Sequence, residues 1–279
     1  MGLVRSWDVS TGVDGPGTRM VVFISGCPLR CVYCQNPETW HMRDGQPMTV
    51  AAVLAELAKY ERFIRVAGGG FTVSGGEPLT QADFVGLLLH AVKERDVHTA
   101  LDTSGSLGSS ASNALLADVD LVLLDIKSWD PATYRRVTSG DIAPTLRFAR
   151  RLADLGKPVW IRYVVVPGWT DDVANVDGVA QFAGVLGNVE RVDVLPFHHM
   201  GLEKYQQLGI DYPIADVRPP SAALIDRIWE QFQKPRSIGV LTDEFDAAMA
   251  DPPSQRSTHP TLVTPLLPTR PRFGGAGRC

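Results

Sequence analysis

No stretch of the 279 residues approaches the roughly 18 consecutive apolar positions that a membrane-spanning helix needs. The first residues, Met1 to Ser10, also lack the apolar core of a secretory signal. The expected location is therefore the cytoplasm, with no membrane partner. An excess of charge is missing too: 27 Lys and Arg stand against 31 Asp and Glu, a net charge of −4. That balance argues against a chain built to coat nucleic acid. Cysteine is scarce, with four in the whole chain, too few for a disulfide scaffold at this length. No segment recurs at a solenoid period. What remains is a globular composition, 44% hydrophobic, long enough to bury a sizeable core in one large or two small domains.

From about residue 20 to residue 233, apolar runs alternate with helical patterns. The runs Met20–Ser25, Phe71–Ser74, Val97–Asp102, Asp120–Ile126, Val159–Val166 and Val189–Leu195 are rich in Val, Ile and Leu and show little polar alternation. Strands buried on both faces of a parallel sheet read this way. Helices are expected over Thr49–Tyr60, Gln81–Arg95, Ser110–Ala117, Ala143–Leu155, Val173–Leu186 and Ser221–Phe232. Six β/α repeats predict an α/β fold, a (β/α)6 partial TIM barrel with a mainly parallel curved sheet. Ligands of such sheets sit at the C-terminal ends of the strands. Residues 1–239 are expected to form this domain. Residues 240–279 are Pro-rich and Gly-rich and are expected to be a disordered tail whose removal beyond about residue 245 leaves activity intact.

Three of the four cysteines, Cys27, Cys31 and Cys34, lie within eight residues after the first expected strand, in a C-x3-C-x2-C spacing. Thiolates are the usual ligands of iron–sulfur clusters, and three from one loop reach three irons of a cubane and leave the fourth open. Zinc with His41 or His198 as a fourth ligand, or three reduced core thiols, are the alternatives from ligand chemistry.

Around the triplet stand Asp14-Gly-Pro-Gly17, Cys34-Gln-Asn36, Gly68-Gly-Gly70, Ser74-Gly-Gly-Glu-Pro78, Leu101-Asp-Thr103, Leu124-Asp-Ile-Lys127, the segment Trp160 to Trp169, and Leu195-Pro-Phe-His198. The triplet, with Tyr33 before its last Cys, resembles the signature of the radical S-adenosylmethionine superfamily. The whole series, over about residues 3–238, resembles the glycyl-radical enzyme activases, the pyruvate formate-lyase activating enzymes above all.

That resemblance implies an oxidoreductase. Cys27, Cys31 and Cys34 would hold a [4Fe–4S] cluster whose open iron chelates S-adenosylmethionine. Reductive cleavage would yield a 5′-deoxyadenosyl radical that abstracts an α-hydrogen from one glycine of a partner, pyruvate formate-lyase being the first candidate. It further implies that Tyr33, Ser74, Gly75, Gly76, Glu77, Asp102, Lys127, Val164 and His198 contact the cofactor. Asp102, Thr103, Leu123 and Asp125 would hold a monovalent cation, and Asp14 and Arg162 the partner's glycine loop. A flavodoxin-like or ferredoxin-like protein would donate the electron, and a monomer is expected. An Asp14–Arg162 ion pair is expected because an inward Arg in an apolar run needs a carboxylate. Position 35 departs from the family pattern, with Gln where His is usual. The competing readings are an activase of another glycyl-radical enzyme, a radical enzyme for a small molecule, and a zinc-binding interaction protein. Between Cys34 and Cys279 there is no further cysteine, which disfavours the activases that carry an added ferredoxin-like domain.

Overall fold

A computed structural model of the chain describes residues 1–234. Eight strands make one sheet: β1 (Gly2–Thr11), β2 (Thr18–Ile24), β3 (Gln46–Met48), β4 (Gly70–Gly75), β5 (His98–Thr103), β6 (Leu121–Asp125), β7 (Val159–Val165) and β8 (Val189–Pro196). Their spatial order is β3-β1-β2-β4-β5-β6-β7-β8. The six strands from β2 through β8 pair in parallel, and β1 and β3 add antiparallel to the β2 edge. The helices are α1 (Val50–Val66), α2 (Ala82–Lys93), α3 (Asn113–Ala117), α4 (Pro131–Thr138), α5 (Ala143–Asp154), α6 (Val173–Val185), α7 (Leu202–Leu208) and α8 (Ala222–Gln233). The six-repeat, mostly parallel architecture is as expected. The 240–279 tail and the boundary at 239 lie outside the described residues.

All six expected strands and all six expected helices form. Side chains at the helix starts explain several boundaries. Thr49, Ser112, Asp130, Asp172 and Ser221 each accept a backbone N–H of the following first turn. Two strands and two helices are additional. β1 is polar and half exposed along its length, and β3 has only three residues. α4 and α7 have eight and seven residues, too short for a clear apolar stripe.

One expectation needs correction. β2, β4 and β6 are buried almost throughout, as expected, but β7 and β8 alternate between buried and partly exposed residues. In β7, Val159, Ile161, Tyr163 and Val165 are fully buried, while Trp160, Arg162 and Val164 are partly exposed. The first set joins the main core with Met20, Val22, Phe71, Val73, Leu101, Val122 and Leu124, packed under the helices. The second set faces the concave side, where Ala100, Leu121, Leu123 and Trp160 form a small apolar cluster of their own. Period-2 alternation sends every other residue to that inner face. Arg19 is fully buried. It donates to Thr72 Oγ1 at 2.6 Å and to the Phe71 carbonyl at 2.7 Å, and burial draws its pKa down to about 10.

The loop after β6 is fastened by Asn175 of α6. Its Oδ1 accepts from Ser128 Oγ at 2.7 Å, Trp129 N at 2.7 Å and Asp130 N at 2.9 Å. Its Nδ2 donates to Tyr163 Oη and to the Thr170 carbonyl, both at 3.0 Å. Asn175→Ala strands these partners without a substitute, and an orphaned buried group costs about 1–3 kcal/mol. The variant is expected to lose about 2–4 kcal/mol of unfolding free energy, as read from a urea titration. A loss within experimental error of zero would show that the loop does not depend on this residue.

Candidate functional site

The cysteine loop leaves the C-terminal end of β2 and is tied down on three sides. Cys27 N donates to Trp40 O at 3.1 Å, and Cys34 N donates to Cys31 O at 3.0 Å. Arg30 N and Val32 N donate to the carbonyls of Thr138 and Val137 in α4. All three thiols are free. Burial pushes Cys27 and Cys31 up to about 12, with neighbouring thiols adding, and it raises Cys34 against hydrogen bonds from the Asn36 backbone and the Trp40 side chain. Such a trio gives up its protons only to a strongly cationic partner, and soft thiolates suit iron–sulfur clusters. Among the described residues, no three His, Cys, Asp or Glu side chains converge as the ligands of a single ion would. His198, one of the two histidines offered for zinc, is already engaged: Nε2 lies 2.9 Å from the Gln35 amide, and Met200 N approaches Nδ1 at 3.4 Å. Tyr33 Oη, buried beside the loop, lacks a hydrogen-bonding partner, while the Trp40 side chain donates toward the Cys34 thiol. The donor set and its surroundings fit a [4Fe–4S] group held by Cys27, Cys31 and Cys34.

The Ser74–Glu77 turn sits against this loop. Gly76 N donates to Ile24 O and Glu77 N to Gly26 O, both at 2.8 Å, which clamps the turn to the residue preceding Cys27. Gly75 has φ +116°, open to glycine and strained for other residues. At Gly76 a Cβ would run into the Gly26 carbonyl. The Glu77 carboxylate takes another direction. It is fully buried and accepts from Leu79 N at 3.2 Å, Thr103 Oγ1 at 2.6 Å, Ser104 N at 3.0 Å and Ser104 Oγ at 2.6 Å. It therefore locks the β4 turn to the end of β5 and has no free face toward a ligand. Ser74 Oγ donates to Asp102 Oδ2 at 2.6 Å.

On the inner face, adjacent strands place Asp102 beside Leu123, and Asp125 beside Arg162. Arg162 Nη1 lies 3.0 Å from Asp102 Oδ1, and its Nε lies 3.7 Å from Asp125 Oδ1. The Nη1 contact is close but lacks hydrogen-bond geometry. Lys127 Nζ donates to Asp125 Oδ2 at 3.0 Å and lies 5.7 Å from the centre of the Tyr33 ring. Burial raises Asp102 to about 6, with Asp125 adding and Arg162 opposing. For Asp125, burial also works upward, but Lys127 and Arg162 outweigh it and hold the carboxyl below its ordinary value. The two cations are shifted upward despite burial by these carboxylates. Val164 and Tyr33 share a cluster at the top of this face with Val137, Val166 and Phe197. Burial, helped by His199, lowers the pKa of His198.

Two expectations change. Arg162 does pair with carboxylates, but with Asp102 and Asp125. Asp14 lies in the β1–β2 turn, at the other end of β2 from the cysteines, where its carboxylate accepts from Ser10 Oγ at 2.5 Å. It reaches Arg162 and Asp102 only through its field. The four residues expected to hold a cation also do not share a face. Asp102, Leu123 and Asp125 line the inner face, while the Thr103 hydroxyl points to the helix side, donating to Glu77 and accepting from Gly105 N at 2.9 Å. Sequence reading missed Ser104 as the partner of Glu77 and Gln35 as the partner of His198. It also missed Lys204, which binds Asn36 Oδ1 at 2.8 Å and Glu38 Oε1 at 2.6 Å. No motif marks these, because each depends on a contact between distant segments.

The raised Asp102 carboxyl gives a pH test in the cofactor-free protein. Its native pKa of about 6 lies above the unfolded value near 3.9. The native state therefore binds more protons between those values, and this group's contribution to stability falls as pH rises through that window. Carboxyl-carbon NMR is expected to show a midpoint near 6. In Arg162→Gln the midpoint moves higher, because the opposing charge is gone. A downward move would contradict the assignment.

The Radical SAM superfamily profile matches residues 21–176. Pyruvate formate-lyase 1-activating enzyme of Escherichia coli (strain K12) is 38% identical over 230 residues, 82% of this chain and 94% of that one. Pyruvate formate-lyase-activating enzyme of Staphylococcus aureus (strain USA300) is 42% identical over 215 residues, 75% of this chain and 86% of that one. Among solved structures, Streptococcus suis SuiB bound to precursor peptide SuiA superposes with a TM-score of 0.57 at 17% identity, covering 75% of this chain and 45% of that one, a likeness of fold. The chain belongs to the radical SAM superfamily and, within it, to the family of the pyruvate formate-lyase activating enzymes.

Proposed function

We propose that this chain activates a glycyl-radical enzyme, with pyruvate formate-lyase as the target. The observation that carries the reading is the placement of three free thiols on one loop at the mouth of a concave, charge-lined face, in a chain 38–42% identical to activating enzymes over most of its length. Cys27, Cys31 and Cys34 would hold a [4Fe–4S] cluster, which would supply the one electron for reductive cleavage of S-adenosylmethionine and so the radical chemistry that abstracts the target glycine's α-hydrogen.

The chain's own residues supply the setting. Cys27, Cys31 and Cys34 hold the cluster. The Gly75–Gly76 backbone, which cannot accommodate side chains, lies beside them and meets the cofactor's amino group. Glu77 serves this turn from behind as a positioning residue. Lys127 offers an ammonium to the cofactor carboxylate, and Tyr33, Val164 and His198 form the adenosine end. Asp102 and Asp125 together accept positive charge. In this structure Arg162 provides it, and a monovalent cation bound with the cofactor would take over that role and release Arg162 toward the partner. The partner's loop runs along the inner face past Arg162 toward the Asp14 turn. A flavodoxin-like or ferredoxin-like donor feeds the cluster, the chain works as a monomer, and the setting is the cytoplasm. Among the described residues, no helix is long and apolar enough to cross a membrane.

The deciding experiment is electron paramagnetic resonance on anaerobically reconstituted protein. A reduced-cluster signal that changes on adding S-adenosylmethionine is expected, followed by a glycyl-radical doublet when pyruvate formate-lyase is added. Cys27→Ala, Cys31→Ala and Cys34→Ala are each expected to abolish both signals. Uptake of zinc with no cluster in the unaltered chain would sink the reading.

The catalytic unit is residues 1–239. A chain ending at 239 is expected to keep its cluster content and radical yield within about twofold of the full chain, since tails outside the packed elements tolerate truncation. Loss of the reconstituted cluster in that variant would place part of the function in the segment beyond.

A further inference from the structure

Outside the site described above, α5 carries an electrostatic feature that nothing in the proposed chemistry uses. Arg147 and Arg151 sit one turn apart on its outer face, at the (i, i+4) spacing where like charges repel. Both line a cleft of about 320 Å³ together with Gly108, Ser109, Pro144 and Phe148. The volume is at the lower end of the range that holds small ligands.

The cleft is built rather than incidental. Gly108 lies so close to the Phe148 ring that a Cβ there would overlap it. Arg151 is held in place by three donations: Nη1 to Ala111 O at 2.7 Å and to Gly108 O at 3.2 Å, and Nη2 to Asn113 Oδ1 at 2.6 Å. All three acceptors are uncharged, so the fork is oriented while its charge stays uncompensated. Among the described residues, Arg147 makes no hydrogen bond and no ion pair, and neither guanidinium has a carboxylate within 4 Å. The Ser109 hydroxyl is exposed and makes no hydrogen bond among the described residues. In a chain of net charge −4, two neighbouring cations without a counter-charge are not a by-product of general basicity.

We propose that this cleft binds a small, doubly charged oxyanion: the phosphate group of a metabolite, or a dicarboxylate. Two guanidiniums, one already oriented, match the planar paired acceptors of such a group, and the bound anion removes the like-charge repulsion on α5. Recession of Arg151 into the cleft favours a small ligand over the acidic surface of a protein. Occupancy would also tie two elements behind the cofactor end. The 108–110 turn continues the loop that begins with Thr103 and Ser104 on Glu77, and Thr145 of α5 donates to Ser104 O at 2.7 Å. Binding should therefore stabilise the fold.

The test titrates the full chain with inorganic phosphate and, separately, with succinate, at ionic strength held constant with chloride. Calorimetry is expected to show one saturable site with Kd below about 1 mM for at least one of the two. The thermal midpoint is expected to rise with the logarithm of anion concentration. Saturation by phosphate alone identifies a phosphate-bearing ligand, and saturation by succinate alone a dicarboxylate. Arg147→Gln is expected to weaken binding at least tenfold and, by removing the like-charge repulsion, to leave the midpoint of the unliganded protein equal or slightly raised. Arg151→Lys, which keeps the charge and loses the fork, is expected to weaken it as well. No saturation up to about 10 mM of either anion overturns the proposal. So does saturation that Arg147→Gln leaves intact, or retention on polyglutamate in the absence of small-anion binding, which would mark a protein-docking patch.

Discussion

The inner face of this sheet depends on a balanced set of buried charges. Asp102 and Asp125 stand against Arg162 and Lys127, all largely withdrawn from water and linked by contacts of 3.0–3.7 Å. No member of the set is affordable alone, since an isolated charge in such surroundings is strongly destabilising. Two carboxylates with two cations make a neutral group that can be buried between an apolar patch below and the cysteine loop above. Balance does not mean that every charge is satisfied. Asp102 has its proton affinity raised and Arg162 keeps an N–H without hydrogen-bond geometry, so the rung retains unused capacity for a charged ligand.

Strand alternation explains why that rung has the members it has. Asp102, Asp125 and Arg162 occupy inner-face positions on three neighbouring strands, so their side chains meet. Thr103, one residue along, must face the helices and is spent on Glu77. The Ser74–Glu77 turn then joins both layers. Ser74 reaches inward to Asp102, Gly76 and Glu77 bind the backbone before Cys27, and the Glu77 carboxylate reaches outward to Thr103 and Ser104. Segments separated by some 75 residues of sequence become one rigid rim because this turn contacts all of them.

Much of this was legible beforehand, and the exceptions share a physical cause. The six parallel strands announce themselves through apolar runs, and the helices through stripes and caps such as Thr49 and Ser221. Several motifs identify the rim, because the cysteine triplet, Ser74–Pro78, Asp102–Thr103, Asp125–Lys127 and His198 each lie at or just past the C-terminal end of a parallel strand. What stayed hidden was direction. The expected Asp14–Arg162 pair rests on the need of a buried Arg for a carboxylate, and that need is real. Which carboxylate answers it is set by register between β5, β6 and β7, and register is not written in any one strand. Glu77 shows the same limit: a carboxylate beside two glycines looks ligand-facing, while four donors from its own turn and from Thr103 and Ser104 converge on it. β1, β3, α4 and α7 are too short or too polar to show periodicity, and they owe their existence to the edges and loops they pack against.

The departure at position 35 follows the same logic of pairing across distant segments. The Gln35 amide nitrogen lies 2.9 Å from Nε2 of His198, and an amide N–H donates, so this ring nitrogen is the acceptor. Met200 N approaches Nδ1 on the other side at 3.4 Å, a much longer contact. Burial and His199 lower the pKa of His198, which favours the ring form that keeps an acceptor nitrogen for the amide. A second imidazole at position 35 would have to turn a protonated nitrogen in that direction, which depends on its tautomer. Glutamine supplies the donor at every pH. It ties the residue after Cys34 to the end of β8, alongside the Lys204 contacts to Asn36 and Glu38. The substitution therefore preserves the connection between the cysteine loop and the far edge of the sheet by removing a titratable group from it.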